Sequence, residues 1–474
     1  MPKTINVLFL AAEAEPFIKV GGLGDVAGSL PRSLRALSND DVILDVRLVL
    51  PYHPAVKADG LKPLGMFSLS RDGSDVQVET FETTLNGMPV YLINGEPIRA
   101  NGSVYSLDSK LDAEKYTFFS LAALELPRQI NWLPDIIHGN DWHTALSLYG
   151  SLAKRWEEGA RKVAALITLH NLPFMGPDVS AILESYGVKL AQTDLPDWAR
   201  VMPLPLGLWA SDAIVAVSPT YGKEILTPEY GCGLDDFLQI RRETVHGIVN
   251  GLDTDSFNPA DDSALGVNYD FDTLEKRAGN KALLQERLGF AKESETPLFA
   301  IVSRMDIQKG VDLAFAALKS MKKLNWQAVI LGTGDPKLEE AALKLQALFP
   351  DRIKVETRYD AGLARQIYAG ADMLLMPSRY EPCGLSQMIA MRYGCVPVVR
   401  AAGGLNDTVR NNITGFVFEK IHHLSLVGAI KAAMKVFSDP KKWQSIQRSG
   451  MAQDFSWENS ANRYLEIYQS IIKL

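Results

Sequence analysis

Short runs rich in Val, Ile and Leu recur along the chain, each followed by a stretch of helical period, and they do so in two series. A strand buried on both faces reads as such an unbroken apolar run, and its alternation with helices is the pattern of a parallel α/β sheet. The first series occupies 5–12, 43–50, 135–138, 163–169 and 213–218. The second restarts at "PLFAIVSRMDIQKG" and continues through "QAVILGTG", "RIKVET", "MLLMPS" and "VPVVRAAG". With 474 residues, 47% of them hydrophobic, the chain is long enough for two cores. The fold class expected is therefore α/β, two open α/β sheets in tandem, in domains at 1–245 and 246–453. The boundary falls in "TVHGIVNGLDTDSFNP" (244–259), ahead of a polar helical segment at about 261–295. Two alternating segments around Asn86-Gly87, in "VQVETFETTLNGMPVYLIN", predict a hairpin inserted in the first series. In the remainder, 454–474, Trp457, Ala461, Tyr464, Leu465, Tyr468, Ile471 and Ile472 fall at helical spacing behind Ser456, a helix with one apolar face to dock.

Composition removes several function classes. Lys and Arg number 49 against 56 Asp and Glu, a net charge of −7, without the basic excess of a phosphate-backbone reader, so nucleic acid is not an expected partner. The three cysteines, Cys232, Cys383 and Cys395, form no CxxC, which argues against a disulfide framework or zinc cage and suits a reducing compartment. The apolar run near the N-terminus is too short for a membrane span and lacks a basic leader, so neither membrane nor secretion is expected. A cytoplasmic location follows. With no leader ahead of the first strand it points to a bacterial cytoplasm, with a processed plastid form as the alternative.

Three loops at carboxyl ends of predicted strands carry the candidate chemistry. "FIKVGGLGDV" (17–26) sets Lys19, Gly21, Gly22 and Gly24 between a strand and a helix whose apolar face is Val26, Leu30, Leu34 and Leu37. Backbone N–H groups and a helix N-terminus suit an anion there, and Lys19 adds a mobile charge. "SRMDIQKG" places Arg304 and Lys309 where α/β sheets put their ligand groups. "RYEPCGLSQ" presents Glu381, with Pro382 suited to the first turn of a helix, and "RAAGGLNDTV" repeats the strand, double-glycine, helix arrangement at Gly403 and Gly404.

"KVGGLGDV", "HGNDWHT", "TLHNLPFMG", "VNGLDTDSFNP", "SRMDIQKG", "PSRYEPCGLSQ", "GGLNDTV" and "DFSWENSANRYLEIY" together resemble the ordered signature of bacterial glycogen synthases and plant starch synthases, from residue 19 to about 468. The resemblance implies a GT-B architecture with the domains facing across a cleft and the last helix crossing back to the first. It implies that both domains are Rossmann-like, and that glucose passes from ADP-glucose to the 4-hydroxyl at the non-reducing end of an α-1,4-glucan, with retention of configuration. It places Lys19, Gly21, Gly22 and Asp25 at the donor diphosphate and sugar, joined by Asn171 and Asn250. Arg304 and Lys309 neutralise the diphosphate in place of a metal. Glu381 and the backbone amides of Cys383, Gly384 and Leu385 bind the donor glucose, and Gly403 and Gly404 line the phosphate loop. His170 stands beside the reacting glucose, Asp141 near the acceptor hydroxyl with Trp142 under it, and Tyr359 stacks on adenine, a core tyrosine being the other reading. No cofactor and no metal are expected.

Other motifs carry no such expectation. Asp253 and Asp255 form a DxD within the interdomain segment, His422-His423 lacks clustered ligands, and His138 and His143 show no HExxH. Ala402 replaces the threonine usual before the double glycine, Met175 stands where many relatives have glutamine, and Ile389 removes the second of the glutamates paired in many other GT-B enzymes. The competing readings are a UDP-glucose or small-acceptor transferase on the same fold and a non-catalytic glucan-binding scaffold.

Overall fold

The computed structural model describes residues 2–100, 102–155 and 163–473. The chain divides into two compact units, Met1–Gly251 with Trp457–Leu474, and Leu252–Ser456. The expected boundary at 245 moves to 251 because Val245–Gly247 still pairs with the first sheet as its last strand. The return falls at Trp457 and not 454, since Leu252 pairs with Ser456 inside the second unit.

The first unit is built on nine strands: β1 (Lys3–Leu10), β2 (Val42–Pro51), β3 (Lys62–Arg71), β4 (Ser74–Leu85), β5 (Met88–Asn94), β6 (Ile136–Asn140), β7 (Ala164–Leu169), β8 (Ala213–Ala216) and β9 (Val245–Gly247). Their order is β3-β4-β5-β2-β1-β6-β7-β8-β9. From β5 to β9 all neighbours are parallel, and the two hairpins β3-β4 and β4-β5 extend the sheet on one side. The Asn86-Gly87 turn has φ of 49° and 79°, both positive as a two-residue hairpin requires. Asp72-Gly73 closes the β3-β4 hairpin with φ of 50° and 73°, a second turn of the same kind.

The second unit carries β10 (Leu298–Val302), β11 (Gln327–Leu331), β12 (Ile353–Glu356), β13 (Met373–Met376), β14 (Val396–Arg400) and β15 (Phe416–Phe418). All are parallel, in the order β12-β11-β10-β13-β14-β15, the doubly wound order of dinucleotide-binding folds. The segment expected to be helical over about 261–295 is helical only at Arg277–Leu288, after a short 3-10 turn at Leu274–Lys276. Asp262, Asn268 and Asp270 engage local backbone N–H and C=O groups ahead of it, which favours turns over helix. No helix of the described residues is long and apolar enough to cross a membrane.

The last helix, Trp457–Ile472, belongs to the first unit's core. Trp457, Ala461, Tyr464, Ile467, Tyr468 and Ile471 are buried against Val26, Leu30 and Leu34 of the helix Gly22–Ala36 and against the sheet. His138 of β6 explains part of the attachment. Its Nδ1 lies 2.6 Å from the Tyr468 hydroxyl and its Nε2 2.8 Å from Thr168 Oγ1, which in turn lies 3.1 Å from the Tyr464 hydroxyl. Burial, with a smaller contribution from His170, holds this imidazole well below its ordinary pKa, so it is neutral and satisfied, a structural histidine. Tyr468→Phe leaves one buried ring nitrogen unpaired, at a cost of about 1–3 kcal/mol. The expected result is a lower thermal midpoint, and an unchanged midpoint would contradict the role given to this bond.

Candidate active site

In open α/β sheets the crevice for a ligand opens at the carboxyl ends of the strands where the order reverses. In the first unit that point lies between β1 and β6, and in the second between β10 and β13. The segments leaving those strands hold Lys19 and Asp141 in one unit, Arg304, Lys309 and Glu381 in the other.

In the first unit the helix begins at Gly22 with Gly21 as its N-cap, so Gly22 and Gly24 lie inside its first turn and do not precede it. Lys19 Nζ stands 2.9 Å from Glu15 and 2.6 Å from Asp25. Partial burial works against the ammonium, but those two carboxylates more than offset it and raise its pKa. Two of the loop amides are already engaged within the protein. Val20 N–H donates to the buried carboxylate of Glu13, and Gly21 N–H lies 3.0 and 3.1 Å from its two oxygens.

Asp141 follows β6 with φ of 54°, a left-handed conformation that costs a non-glycine residue energy and clusters at functional positions. Its Oδ1 accepts the backbone N–H of His170 at 2.7 Å and of Asn171 at 3.4 Å, so the carboxylate sets the course of the segment leaving β7. Burial raises its pKa to about 7, against the two N–H groups that favour the charge, and Glu13 adds to the rise. His170 Nε2 lies 2.9 Å from Asn140 Oδ1, and the Asn140 amide nitrogen donates to the Leu10 carbonyl at 2.9 Å. That second bond fixes the amide, so Nε2 of His170 carries the hydrogen and Nδ1 is the acceptor. Burial lowers the histidine's pKa to about 3, and the ring is neutral at physiological pH. Trp142 is buried, edge-on to Tyr116 and 4.2 Å from the ring of His143. Asn250 is also buried, and its Oδ1 accepts no hydrogen bond among the described residues, an acceptor suited to a ligand donor.

In the second unit Lys309 and Glu381 meet directly. The ammonium stands 2.7 and 2.8 Å from the two carboxylate oxygens, and Ser378 Oγ donates to Glu381 at 3.0 Å. Arg304 is 64% exposed at its side chain and 3.3 Å from Asp306, a cation presented outward. Sequence reasoning missed the supports. Arg379 grips Asp312 with two bonds of 2.8 Å and the Ile307 carbonyl at 2.7 Å, tying the segment after β13 to the one after β10. Buried Arg400 donates to the Ser378 carbonyl at 2.6 Å and to that of Arg379. A Cβ at Gly310 would lie 2.1 Å from the Pro377 carbonyl oxygen, so the segments touch backbone to backbone. The glycine of "QKG" was visible in the sequence; its partner, far along the chain, was not.

Pro382 does not open a helix: the helix is Ser386–Arg392, and Cys383, Gly384 and Leu385 lie in the loop before it, held by Gln387, whose amide donates to the Cys383 and Gly384 carbonyls. Gly403 and Gly404 are required for packing, whatever ligand they meet. Gly404 N–H donates to the Glu381 carbonyl at 3.0 Å, and a Cβ on either glycine would fall 2.0–2.1 Å from a backbone oxygen of the 381–383 segment. Ala402 is the N-cap of the short helix Gly403–Thr408, without a side-chain cap. Tyr359 is 80% exposed, which removes the core reading for it. Asp253 caps the N–H groups of Asp255 and Ser256 in a local turn, and His422 caps Leu424.

Comparison with known proteins adds to this geometry. Residues 6–240 match the family model described as starch synthase catalytic domain, and residues 285–449 that described as glycosyl transferases group 1. A glycogen synthase from Streptococcus sanguinis (strain SK36) is 38% identical over 489 residues, covering 99% of this chain and 100% of the relative. One from Streptococcus pneumoniae serotype 4 is 36% identical over 488 residues with the same coverage. The catalytic domain of starch synthase IV from Arabidopsis thaliana, bound to ADP and acarbose, is similar at TM-score 0.90 and 32% identity, with all of both chains covered. Sucrose-phosphate synthase from Thermosynechococcus elongatus shares the fold at TM-score 0.63 and 18% identity over 99% of each chain.

The position of Asp141 has a pH consequence. An ordinary aspartate ionises near 3.9, so between pH about 4 and about 7 the unfolded chain has released a proton that the folded chain still holds. Stability attributable to this group falls as pH rises through that window. Relative to Asp141→Asn, which cannot ionise, the wild-type thermal midpoint should therefore decline from pH about 4 to about 7. A difference independent of pH would contradict the shift.

Proposed function

The chain belongs to the glycogen and starch synthase family of GT-B glycosyltransferases, and on that premise we propose that it moves glucose from ADP-glucose to the 4-hydroxyl at a glucan's non-reducing end, with retention of configuration and without a metal. Its activity is that of a glycogen or starch synthase, which takes a nucleotide-sugar donor and a glucan acceptor. The observation that carries the finer reading is the Lys309–Glu381–Ser378 cluster at the strand reversal of the second unit, with exposed Arg304 on the same segment as Lys309. A cation and a carboxylate fixed side by side suit the two ends of a sugar diphosphate: charge for the phosphates, acceptors for the sugar hydroxyls. Exposed Tyr359 offers a face to a base. ADP bound to the similar starch synthase IV domain supports an adenine nucleotide.

Within this reading the chain's own groups divide the work. Arg304 and Lys309 neutralise the diphosphate as the bond from glucose to phosphate breaks. The acceptor oxygen forms the new bond on the same face, and its proton passes to the departing phosphate oxygen. His170, neutral and with Nδ1 as acceptor, holds a hydroxyl of the reacting glucose and does not deliver a proton. Asp141 fixes the backbone of His170 and Asn171 and stands near the acceptor. A cytoplasmic location is part of the same proposal.

The test is ADP release and glucan lengthening from ADP-glucose with a glucan primer and a chelator, run beside UDP-glucose. Chain growth with ADP-glucose despite the chelator is the expected result. Growth only with UDP-glucose, or only on restoring a divalent cation, would overturn the donor or the metal-free assignment. Lys309→Ala should lower turnover about 100- to 1000-fold, as loss of one charge-stabilising group does, and Tyr359→Ala should raise the KM for the donor with little change in turnover. Unaltered kinetics in either variant would remove that residue from the site.

A further inference from the structure

The buried carboxylate of Glu13 has no part in the chemistry above, yet the glycine loop is folded around it. Glu13 sits among Ala11, Ala12 and Ala14 and is 1% exposed. A carboxylate taken out of water needs donors in compensation, and it finds three: Val20 N–H, Gly21 N–H at 3.0 and 3.1 Å, and the Tyr105 hydroxyl at 2.9 Å. The space around it is full, since a Cβ at Gly24 would stand 3.3 Å from Glu13 Oε2 and 3.0 Å from Lys19 Cγ. The loop then closes on itself. Gly24 N–H donates to the Gly21 carbonyl at 3.2 Å, and Glu15 N–H to the Gly24 carbonyl at 3.0 Å.

We propose that Glu13 is a positioning residue for the donor: its carboxylate is an internal anion that turns the Val20 and Gly21 amides inward and so fixes Lys19 and the exposed backbone of Gly21 and Gly22 toward the nucleotide sugar. The inference rests on the reading of residues 19–25 as a donor loop. A helix N-terminus with free amides would draw any anion, water included, and would order the loop only when occupied. With its own carboxylate in place, the loop is ordered before the donor arrives, and the donor meets an ammonium already held between Glu15 and Asp25. Preorganisation of this kind reduces the ordering cost of binding, so its loss appears in donor affinity. Tyr105 extends the arrangement, because its hydroxyl ties the segment before the helix Ser109–Ala123 to the same carboxylate.

The experiment uses the full chain and two variants. Glu13→Gln keeps the length of the side chain but removes its charge: the amide oxygen can accept only the two N–H groups and the NH2 group must turn to the Tyr105 hydroxyl as a donor, so charge-assisted bonds give way to neutral ones. Hydrogen bonds to a charged group are strong enough that the KM for ADP-glucose and the Kd for ADP should both rise about tenfold. Turnover at saturating donor and the KM for the glucan primer should change much less. Tyr105→Phe, which removes one donor and leaves both amides, should produce a smaller rise of the same kind, and Glu13→Asp, which keeps the charge, should bind ADP better than Glu13→Gln. A folded Glu13→Gln with lowered thermal midpoint and unchanged KM and Kd would show a merely structural carboxylate and overturn the proposal. Should Glu13→Gln not fold, Tyr105→Phe decides by the same criterion. If the wild type binds ADP but transfers no glucose from ADP-glucose, the functional reading fails, while the shift in Kd still tests Glu13.

Discussion

The contact on which the second unit's site depends is the ion pair of Lys309 and Glu381, 2.7–2.8 Å across and with Glu381 4% exposed. Two charges withdrawn from water are favourable only with good geometry and further hydrogen bonds. Here Ser378 supplies one, and the backbone is braced from three sides: Arg379 on Asp312, Arg400 on the Ser378 carbonyl, and Gly404 N–H on the Glu381 carbonyl. The pair joins segments 72 residues apart in sequence. Parallel pairing of β10 with β13 brings those segments together, so the sheet order is the cause and the ion pair its consequence.

The first unit applies the same logic with the sign reversed. In the second unit a cation waits beside a carboxylate; in the first, backbone amides are already taken by one. Glu13 behind the glycine loop and Asp141 behind His170 and Asn171 are both buried acids that accept main-chain N–H groups, and burial raises the pKa of both. Each sets the path of a loop at the carboxyl end of a strand. The backbone beside Lys19 and at His170, the groups proposed to face a substrate, is thus held by buried acids of the same unit. His170 gains a fixed tautomer from the same economy of contacts, through Asn140 and the Leu10 carbonyl.

Much of this was legible because it is local. Apolar runs marked the interior strands of both sheets, Asn86-Gly87 marked its hairpin, and the helical spacing of Trp457, Ala461, Tyr464 and Tyr468 marked a docking face. The edges were less legible. β9 and β15 are three residues each and leave little pattern, and β3 was missed although Asp72-Gly73 carries the same turn signal as the hairpin beside it. In the site, strand ends with Lys19, Asp141, His170, Arg304, Lys309 and Glu381 were identifiable one by one. Their partners were not, because a bond such as Tyr105 to Glu13 or Arg379 to Asp312 spans 92 or 67 residues and leaves no spacing to read. The double glycine is a further case. Its pattern suggested phosphate, and its close approach to the backbone oxygens of Glu381 and Cys383 shows a packing role that the pattern did not reveal.

The central claim is that Lys309 and Glu381 act as one unit on the donor, and a double-mutant cycle on kcat/KM for ADP-glucose tests it most directly. Lys309→Met, Glu381→Gln and the double variant would be measured against the wild type. The account predicts strong non-additivity, a coupling on the order of 1–3 kcal/mol, with the double variant little worse than the poorer single one. Additive losses would mean that the two residues work independently and would contradict it.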